Sequence, residues 1–262
     1  MKRIATTLAL LLAGLIAGSS QAATITFTGS ESDFTGQGIL PIEDDGVDTQ
    51  SFGAGCEEPL DIGKVYITND NTNLYIGMHY KRYCFCDIQL FWAFNVRPGG
   101  TTSDPFAHPI DWSAAADAPD FYVYDVIPTN CNGYNYEVLY ESNGAGGWTN
   151  LADGPDGLGI VDTDGGDFVE MAIPLATLGL GCQPGSFFDV FFDIAVTQEG
   201  NTKPAFDMVA NDAEQRSTLA GTCFDVGNPC GPSMPTNYLH YRIDCPTPAV
   251  AKSWGNVKAL YR

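Results

Sequence analysis

DIGKVYITNDNTNLYIGMHY, residues 61–80, holds two apolar runs on either side of an Asn-Asp-Asn-Thr sequence. Valine, isoleucine and tyrosine favour strands, whereas asparagine and aspartate favour turns. The pattern therefore predicts a β-hairpin made of strands Ile62–Thr68 and Asn73–Tyr80. Because side chains alternate along a strand, one set of apolar residues faces the core. These residues are Leu74, Ile76, Met78 and Tyr80.

Further runs of alternating or apolar residues predict more strands. They are Thr24–Thr28, Asp87–Val96, Phe121–Ile127, Tyr134–Glu141, Phe168–Ile173, Phe187–Thr197 and Asn237–Ile243. Asp87–Val96 has apolar side chains on both faces, which is typical of a central strand, and we expect its Trp92 in the core. Leu175–Leu180 predicts a short helical turn, and Gly144–Asn150 a glycine-rich loop. We therefore predict an all-β fold, an antiparallel β-sandwich with long loops.

The first 22 residues have the pattern of an export signal. Two basic residues precede the apolar run Ile4–Ala17, and the small residues Ser20 and Ala22 lie at the −3 and −1 positions of a cleavage site. The apolar run is shorter than the ~20 residues that a membrane span needs. We therefore expect an exported protein, extracellular or at the cell surface, with residues 23–245 forming a single domain.

The chain is strongly acidic, with 32 Asp and Glu against 12 Lys and Arg and a formal net charge of −20 at pH 7. Such a surface repels nucleic acid and anionic lipid, so we exclude both as partners. The charge is compatible with a neutral polysaccharide, with cations, or with a role in solubility alone.

All eight cysteines follow the predicted signal, and an even number in an exported chain indicates up to four disulfides. Eight cysteines allow many pairings, so the connectivity stays open. Candidate pairs are Cys223–Cys230, Cys56–Cys131 and Cys182–Cys245. In other connectivities, Cys84 and Cys86, which alternate along a strand, bond different partners. The bridge Cys182–Cys245 would tie down the C-terminal region. The cysteines lack the CxxC spacing of a zinc site.

Two stretches resemble the DOMON-like superfamily, which includes carbohydrate-binding family 9 modules and haem-binding cytochrome domains. The first is the hairpin stretch that begins at Asp61. The second is Asp167–Leu180, in which a strand ends in Ile-Pro-Leu before a short turn. The apolar strand Phe187–Thr197 follows where the family has its next strand. The resemblance implies an antiparallel β-sandwich that binds sugars or haem, or that acts as a non-catalytic surface module.

Sugar binding needs aromatic faces beside hydrogen-bonding groups. The long loop Pro98–Pro119 contains His108, Asp111 and Trp112, and a second tryptophan, Trp148, lies in the glycine-rich loop. Long loops are often functional. We therefore predict these four residues as the ligand-binding set, with the alternative that the tryptophans only cover the edge of a core.

Two acidic, glycine-containing segments are candidates for a structural calcium site, since calcium takes about six to eight oxygen ligands. Their carboxylates are Asp44, Asp45, Asp48, Asp162, Asp164 and Asp167. The second segment begins like an EF-hand, but Gly166 occupies the third ligand position and no Glu stands at position 12. It is therefore not an EF-hand, and acidic turns without metal are the alternative.

Haem and catalysis are less well supported by the sequence. Haem needs axial Met, His or Lys ligands in a pocket, and the candidates are Met78 and Met171. A buried methionine usually fills a core, so we do not expect haem. The chain has three histidines, and no nucleophile elbow or metalloprotease helix accompanies them, so we expect a non-catalytic protein. A glycoside-active enzyme stays open as an alternative, because among 32 carboxylates a pair can fall at glycosidase spacing by chance.

The sequence therefore predicts an exported, non-catalytic binding module for a neutral polysaccharide or a cell-surface component. Two alternatives stay open, a self-associating structural subunit of a cell surface or appendage, and a haem-binding domain of the DOMON type. Residues 246–262 form a Pro- and Ala-rich spacer and a basic tail that contains Trp254. The tail is similar to short C-terminal tails of some exported bacterial proteins and is a candidate for surface attachment, with a peripheral strand or helix as the alternative.

Overall fold

The protein is described by a computed structural model. The described residues are 23–41, 43–44, 62–80, 87–128, 136–153, 168–198, 205, 207–210 and 233–245. Three expected features lie outside these ranges: the export signal, the C-terminal tail, and the cysteines other than Cys182 and Cys245.

The prediction of an all-β fold with antiparallel sheets is confirmed. The strands are β1 (Glu43–Asp44), β2 (Ile62–Asn69), β3 (Asn73–Tyr80), β4 (Asp87–Asn95), β5 (Phe121–Pro128), β6 (Tyr136–Ser142), β7 (Trp148–Asp153), β8 (Phe168–Pro174), β9 (Phe187–Gln198), β10 (Asp207–Met208) and β11 (Leu239–Asp244). Within the described ranges the helical elements are α1 (Ser32–Thr35) and a 3₁₀ turn (Trp112–Ala114). No helix there has the length and hydrophobicity of a transmembrane segment.

The predicted hairpin is present as β2 and β3, and the side chain of Asp70 organises its turn. Its Oδ1 accepts hydrogen bonds from the backbone N–H groups of Thr72 and Asn73, at 2.7 and 2.8 Å. Its Oδ2 accepts from the hydroxyl of Tyr75 at 2.7 Å, which ties the turn to the strand that follows. The hairpin joins β1 and β8 in a four-stranded sheet with the order β1-β2-β3-β8.

The larger sheet has seven strands in the order β10-β9-β4-β5-β6-β7, and β11 also pairs with β9. β4 lies between β5 and β9, so its prediction as a central strand is confirmed. β9 is the longest strand and pairs with β4 along one side, and with β11 and β10 along the other. β4 ends at Asn95, opposite Phe191, so the first residues of β9 extend beyond it.

One hydrophobic cluster draws its residues from both sheets. The predicted core face of β3 belongs to it, as do Leu90, Trp92 and Phe94 of β4. Trp92 is 1% exposed, as expected from its position among core residues. The four-stranded sheet and the seven-stranded sheet therefore share one interior, which buries apolar area that would otherwise face water.

The N-terminal segment, residues 23–41, covers the other face of the smaller sheet. The prediction of a strand at Thr24–Thr28 is wrong. This segment lies across the face of the sheet and does not add a strand to its edge. Its backbone hydrogen bond to β2 in the described residues runs from the Ala23 N–H to the Asn69 carbonyl oxygen, at 3.0 Å. Phe34 of α1 packs in a cluster with Tyr66 and other residues of the sheet. Gly77 allows this approach, since a Cβ there would lie 2.4 Å from Phe34.

The expected disulfide between Cys182 and Cys245 is confirmed, with a Cα–Cα distance of 5.4 Å. It joins the turn before β9 to the residue that follows β11. Two backbone hydrogen bonds lie beside it: the Gly185 N–H donates to the Cys245 carbonyl oxygen, and the Cys245 N–H donates to the Ser186 carbonyl oxygen, both at 2.9 Å. The bridge therefore fixes β11 against the first half of β9.

Replacing both Cys182 and Cys245 by serine should lower the free energy of unfolding by about 4 kcal/mol, because the bridge closes a loop with a sequence separation of 63. Urea denaturation of the variant and the parent protein measures the loss. Peptide mass mapping without reductant identifies the bridge in the parent. An unchanged denaturation midpoint would show that the bridge contributes no stability.

A buried carboxylate lies under the N-terminal segment. Glu170 of β8 is 0% exposed, and its Oε2 accepts a hydrogen bond from the Gly29 N–H at 2.5 Å. Burial raises the pKa of Glu170 to about 7, the negative charge of Asp33 adds to the rise, and the bond from Gly29 opposes it. The folded protein therefore holds a proton on Glu170 at pH values where an exposed glutamate is ionised.

Glu170→Gln should flatten the pH dependence of stability between about pH 4.5 and 7. A raised pKa in the folded state adds stability below pH 4.5, and this stability is lost as the pH rises through 7. The loss in the parent protein should reach up to about 3 kcal/mol, and the glutamine variant should not show it. Urea denaturation at several pH values measures the slope. A Glu170→Gln variant with the slope of the parent protein would contradict the assignment.

Candidate functional site

The outer face of the seven-stranded sheet is covered by the long loop between β4 and β5. At its base, the N–H of Thr101 donates to the Pro119 carbonyl oxygen at 3.0 Å. Gly100 sits there with φ +90° and has no room for a Cβ, which would lie 2.1 Å from the Ala118 carbonyl oxygen. Farther along, Ile110 forms a parallel bridge with Ser233. The loop is therefore held at both its base and its middle.

Trp112, one of the predicted ligand-binding residues, is part of this loop, and its side chain is buried beneath it. Its side chain is 1% exposed and its ring stacks on the ring of Tyr238, with 5.3 Å between the centroids and an angle of 5° between the planes. The Tyr238 hydroxyl donates to the Asp117 carbonyl oxygen at 2.9 Å. In this arrangement Trp112 supports Tyr238 from below, and Tyr238 is the ring nearer to solvent.

His108 and Asp111 also have structural contacts in the loop. His108 is 4% exposed, and its Nε2 lies 3.1 Å from the Tyr124 hydroxyl. Asp111 caps the 3₁₀ turn by accepting a hydrogen bond from the Ser113 N–H at 2.9 Å. Beside them, Asp104 accepts hydrogen bonds from the N–H groups of Phe106 and His108, and burial raises its pKa. These hydrogen bonds stabilise the conformation of the loop.

Trp148 is the first residue of β7, so the prediction of a loop over Gly144–Asn150 is wrong from Trp148 onward. The glycines end earlier, and Trp148 pairs with Ser142 of β6. Its indole N–H donates to the Ser103 carbonyl oxygen at 2.7 Å, and its half-buried ring packs edge-on against Tyr122. Trp148 and Trp112 therefore belong to one hydrophobic cluster under the loop. A ligand-binding role for the four predicted residues stays a prediction.

A groove of about 590 Å³ opens where β9 extends beyond β4. We call it the β9 groove. Its apolar lining includes Val96, Pro98, Leu180, Phe187, Phe188 and Phe191. Its polar lining includes Asn95, Arg97, Asp117, Asp189 and Tyr238. The volume lies within the range of pockets that hold small ligands, and an apolar lining with a few polar groups is typical of such pockets.

Two aromatic side chains of the groove are unusually exposed. Phe187 is 52% exposed and Phe191 is 41% exposed. They lie on the outer face of β9 together with Asp189, while the alternate residues Val190 and Phe192 are buried in the core. Exposed aromatic side chains in a groove often mark an interaction site, because leaving them in water is unfavourable.

Side chains of β11 lie against one face of each of these two rings. The guanidinium carbon of Arg242 lies 3.8 Å from the centroid of the Phe187 ring, a cation–π contact. The imidazole of His240 stacks on Phe191 with 5.0 Å between centroids, and its Nε2 lies 2.8 Å from Asp189 Oδ1. Each ring is therefore held in place by a side chain of β11.

The opposite rim of the groove carries polar groups that neighbouring residues position. Arg97 Nη2 donates to Glu141 Oε1 at 2.7 Å, and Asp120 Oδ2 accepts from the N–H groups of Val96 and Arg97. Burial raises the pKa of Tyr238, and the charges of nearby aspartates raise it further, so its hydroxyl stays protonated and donates. The groove therefore offers both hydrogen-bond donors and acceptors next to aromatic rings.

The residues predicted to bind calcium are mostly outside the described ranges. Asp44 pairs with Lys64 as part of β1. The five other predicted ligands, Asp45, Asp48, Asp162, Asp164 and Asp167, lie outside the described ranges. Within the described ranges no group of three or more His, Cys, Asp or Glu could hold a metal ion. Calcium binding at the predicted segments stays a prediction.

The two methionines considered for haem, Met78 and Met171, lie in the hydrophobic core between the sheets. Both are almost fully buried, at 0% and 2% exposure. They pack there among aliphatic and aromatic side chains of both sheets.

No residue of the β9 groove is among the ligand-binding residues predicted from the sequence. The sequence of β9 nevertheless indicates which of its residues face outward. In FFDVFFDIAV, residues 187–196, phenylalanine occurs on both faces of the strand, so hydrophobicity alone does not separate them. Asp189 and Asp193 share a face with Phe187 and Phe191, which indicates the outer face. Asp193 is nevertheless buried, whereas Phe187 is exposed. This difference depends on which other parts of the chain cover each half of the strand.

No family model matches the chain, and no curated protein matches it either.

Trp112→Ala should lower the free energy of unfolding by about 3–5 kcal/mol, because removing a fully buried indole leaves a cavity under Tyr238. Urea denaturation measures the loss. Trp148→Ala is the matched comparison and should cost less, since its ring is only half-buried. Equal losses for the two variants would contradict the supporting position of Trp112.

Proposed function

We propose that the protein is an exported, non-catalytic module that binds carbohydrate in the β9 groove. The observation that carries the proposal is the exposed pair Phe187 and Phe191 beside Asp189, Arg97 and Tyr238. Sugars present apolar C–H faces and ring hydroxyls, and this groove offers aromatic faces with donors and acceptors close by. The acidic surface favours an uncharged ligand.

The proposal includes the finer fold assignment. We propose that the two sheets form a β-sandwich of the DOMON-like type, with further disulfides among the cysteines outside the described ranges. The shared hydrophobic core and the turn after β8 support this assignment. Export, which the sequence pattern of residues 1–22 predicts, would place the groove among extracellular or cell-surface polysaccharides.

The exposed phenylalanines also fit a second candidate function, a structural subunit that associates with copies of itself. Exposed apolar patches mediate such contacts. Size-exclusion chromatography of the parent protein separates the two functions. A sugar-binding module should elute as a monomer and bind glycans, whereas a structural subunit should form assemblies that Phe191→Ala disrupts.

Phe191→Ala should weaken binding to the recognised glycan by about tenfold or more, because a stacking contact of roughly 1.4 kcal/mol is lost. A glycan array with added calcium identifies the ligand, and calorimetry gives the dissociation constants. Leu151→Ala is the matched control, since Leu151 is 41% exposed like Phe191 but lies on β7. The control should bind like the parent protein. If Phe191→Ala binds the glycan as tightly as the parent protein, the β9 groove is not the glycan-binding site.

A further inference from the structure

Phe187 and Phe191 are too far apart to stack on the same sugar. Their Cα atoms are four residue steps apart along one extended strand, a distance of about 13 Å. This distance exceeds the width of a single pyranose ring. A ligand that contacts both phenylalanines must therefore be an extended chain of several sugars.

The direction of that chain follows from the neighbours of β9. β11 lies along one side of β9, where Arg242 contacts Phe187 and His240 contacts Phe191. β4 ends opposite Phe191 on the other side, and the groove opens there. A chain in the groove would run along β9 and meet both rings in turn.

The polar groups of the groove match the hydroxyls of such a chain. Asp189 lies between the two phenylalanines on the same face of β9 and is fixed by His240. Arg97 and Asp117 face it from the other rim. The formal net charge of −20 would repel the carboxylates or sulfates of an acidic polysaccharide, so the protein favours an uncharged chain.

Resting on the proposed carbohydrate function, we propose that the β9 groove binds an internal stretch of an uncharged, β-1,4-linked polysaccharide. Phe187 and Phe191 are two separate stacking subsites, and Arg242 and His240 are positioning residues that hold the rings in place. A β-1,4-linked chain is a nearly straight ribbon whose ring faces are flat, which suits two rings on one straight strand. An α-1,4-linked glucan curves away from such a line.

Calorimetry with oligosaccharides of two to six sugars tests the proposal. The probes are the cello-, xylo-, manno- and chito-oligosaccharides, with the malto-oligosaccharides as the α-linked comparison. For at least one β-linked series, affinity should rise about tenfold or more from two to six sugars, and maltohexaose should bind at least about tenfold more weakly. Phe187→Ala and Phe191→Ala should each abolish this rise while changing disaccharide affinity only slightly. Leu151→Ala should keep the rise.

Hexasaccharide binding and the melting temperature together test the positioning role of Arg242. Arg242→Gln should weaken hexasaccharide binding without changing the melting temperature, and Arg242→Lys should restore much of it by keeping a cation beside the Phe187 ring. Failure of the lysine variant to restore binding would overturn this role.

The outcomes separate the inference from the function on which it rests. Equal affinity for disaccharides and hexasaccharides would overturn the two subsites and leave carbohydrate binding intact. Tighter binding of maltohexaose would overturn the ribbon-shaped ligand. Absence of binding to every series would overturn the inference, and absence of binding on the glycan array as well would overturn the proposed function.

Discussion

The pairing of β9 with neighbours on both sides is the constraint on which the candidate site depends. β4 bonds to its second half, and β11 bonds to its first half, so β9 is held along its whole length. Because β4 stops opposite Phe191, the first residues of β9 have a sheet neighbour on one side and a groove on the other. The disulfide Cys182–Cys245 keeps β11 in place at the end where the groove opens. Without these contacts, the rings of Phe187 and Phe191 would have no fixed orientation.

Both sheets are covered on the faces that do not meet each other. Residues 23–41 lie over the smaller sheet, and the loop between β4 and β5 lies over the larger one. These covers bury polar groups as well as apolar ones, including Glu170 and Asp104, and burial raises the pKa of both carboxyl groups. Part of the acidity of the chain is therefore internal, where it affects stability, and only the remainder shapes the surface that a ligand meets.

Local sequence pattern predicted much of the sheet structure. The hairpin of β2 and β3 and the central position of β4 follow from alternation and turn chemistry, which act over a few residues. The segment Thr24–Thr28 alternates equally well but crosses a sheet face, since its apolar residues are buried by packing and not by ladder bonds. Trp112 and His108 lie in a long loop, which led to their prediction as ligand-binding residues, but the loop itself covers a hydrophobic cluster. Alternation alone does not report what lies above a strand or a loop.

The sequence by itself determined the all-β character, the hairpin and the core face of β3. These features depend on side-chain alternation and on turn-forming residues, both of which are local. Only the tertiary structure decided that Phe187 and Phe191 are exposed while Trp112 is buried. The reason is physical: exposure depends on which strand ends beside β9 and on which loop covers each half of the sheet, and both are contacts between residues far apart in the chain.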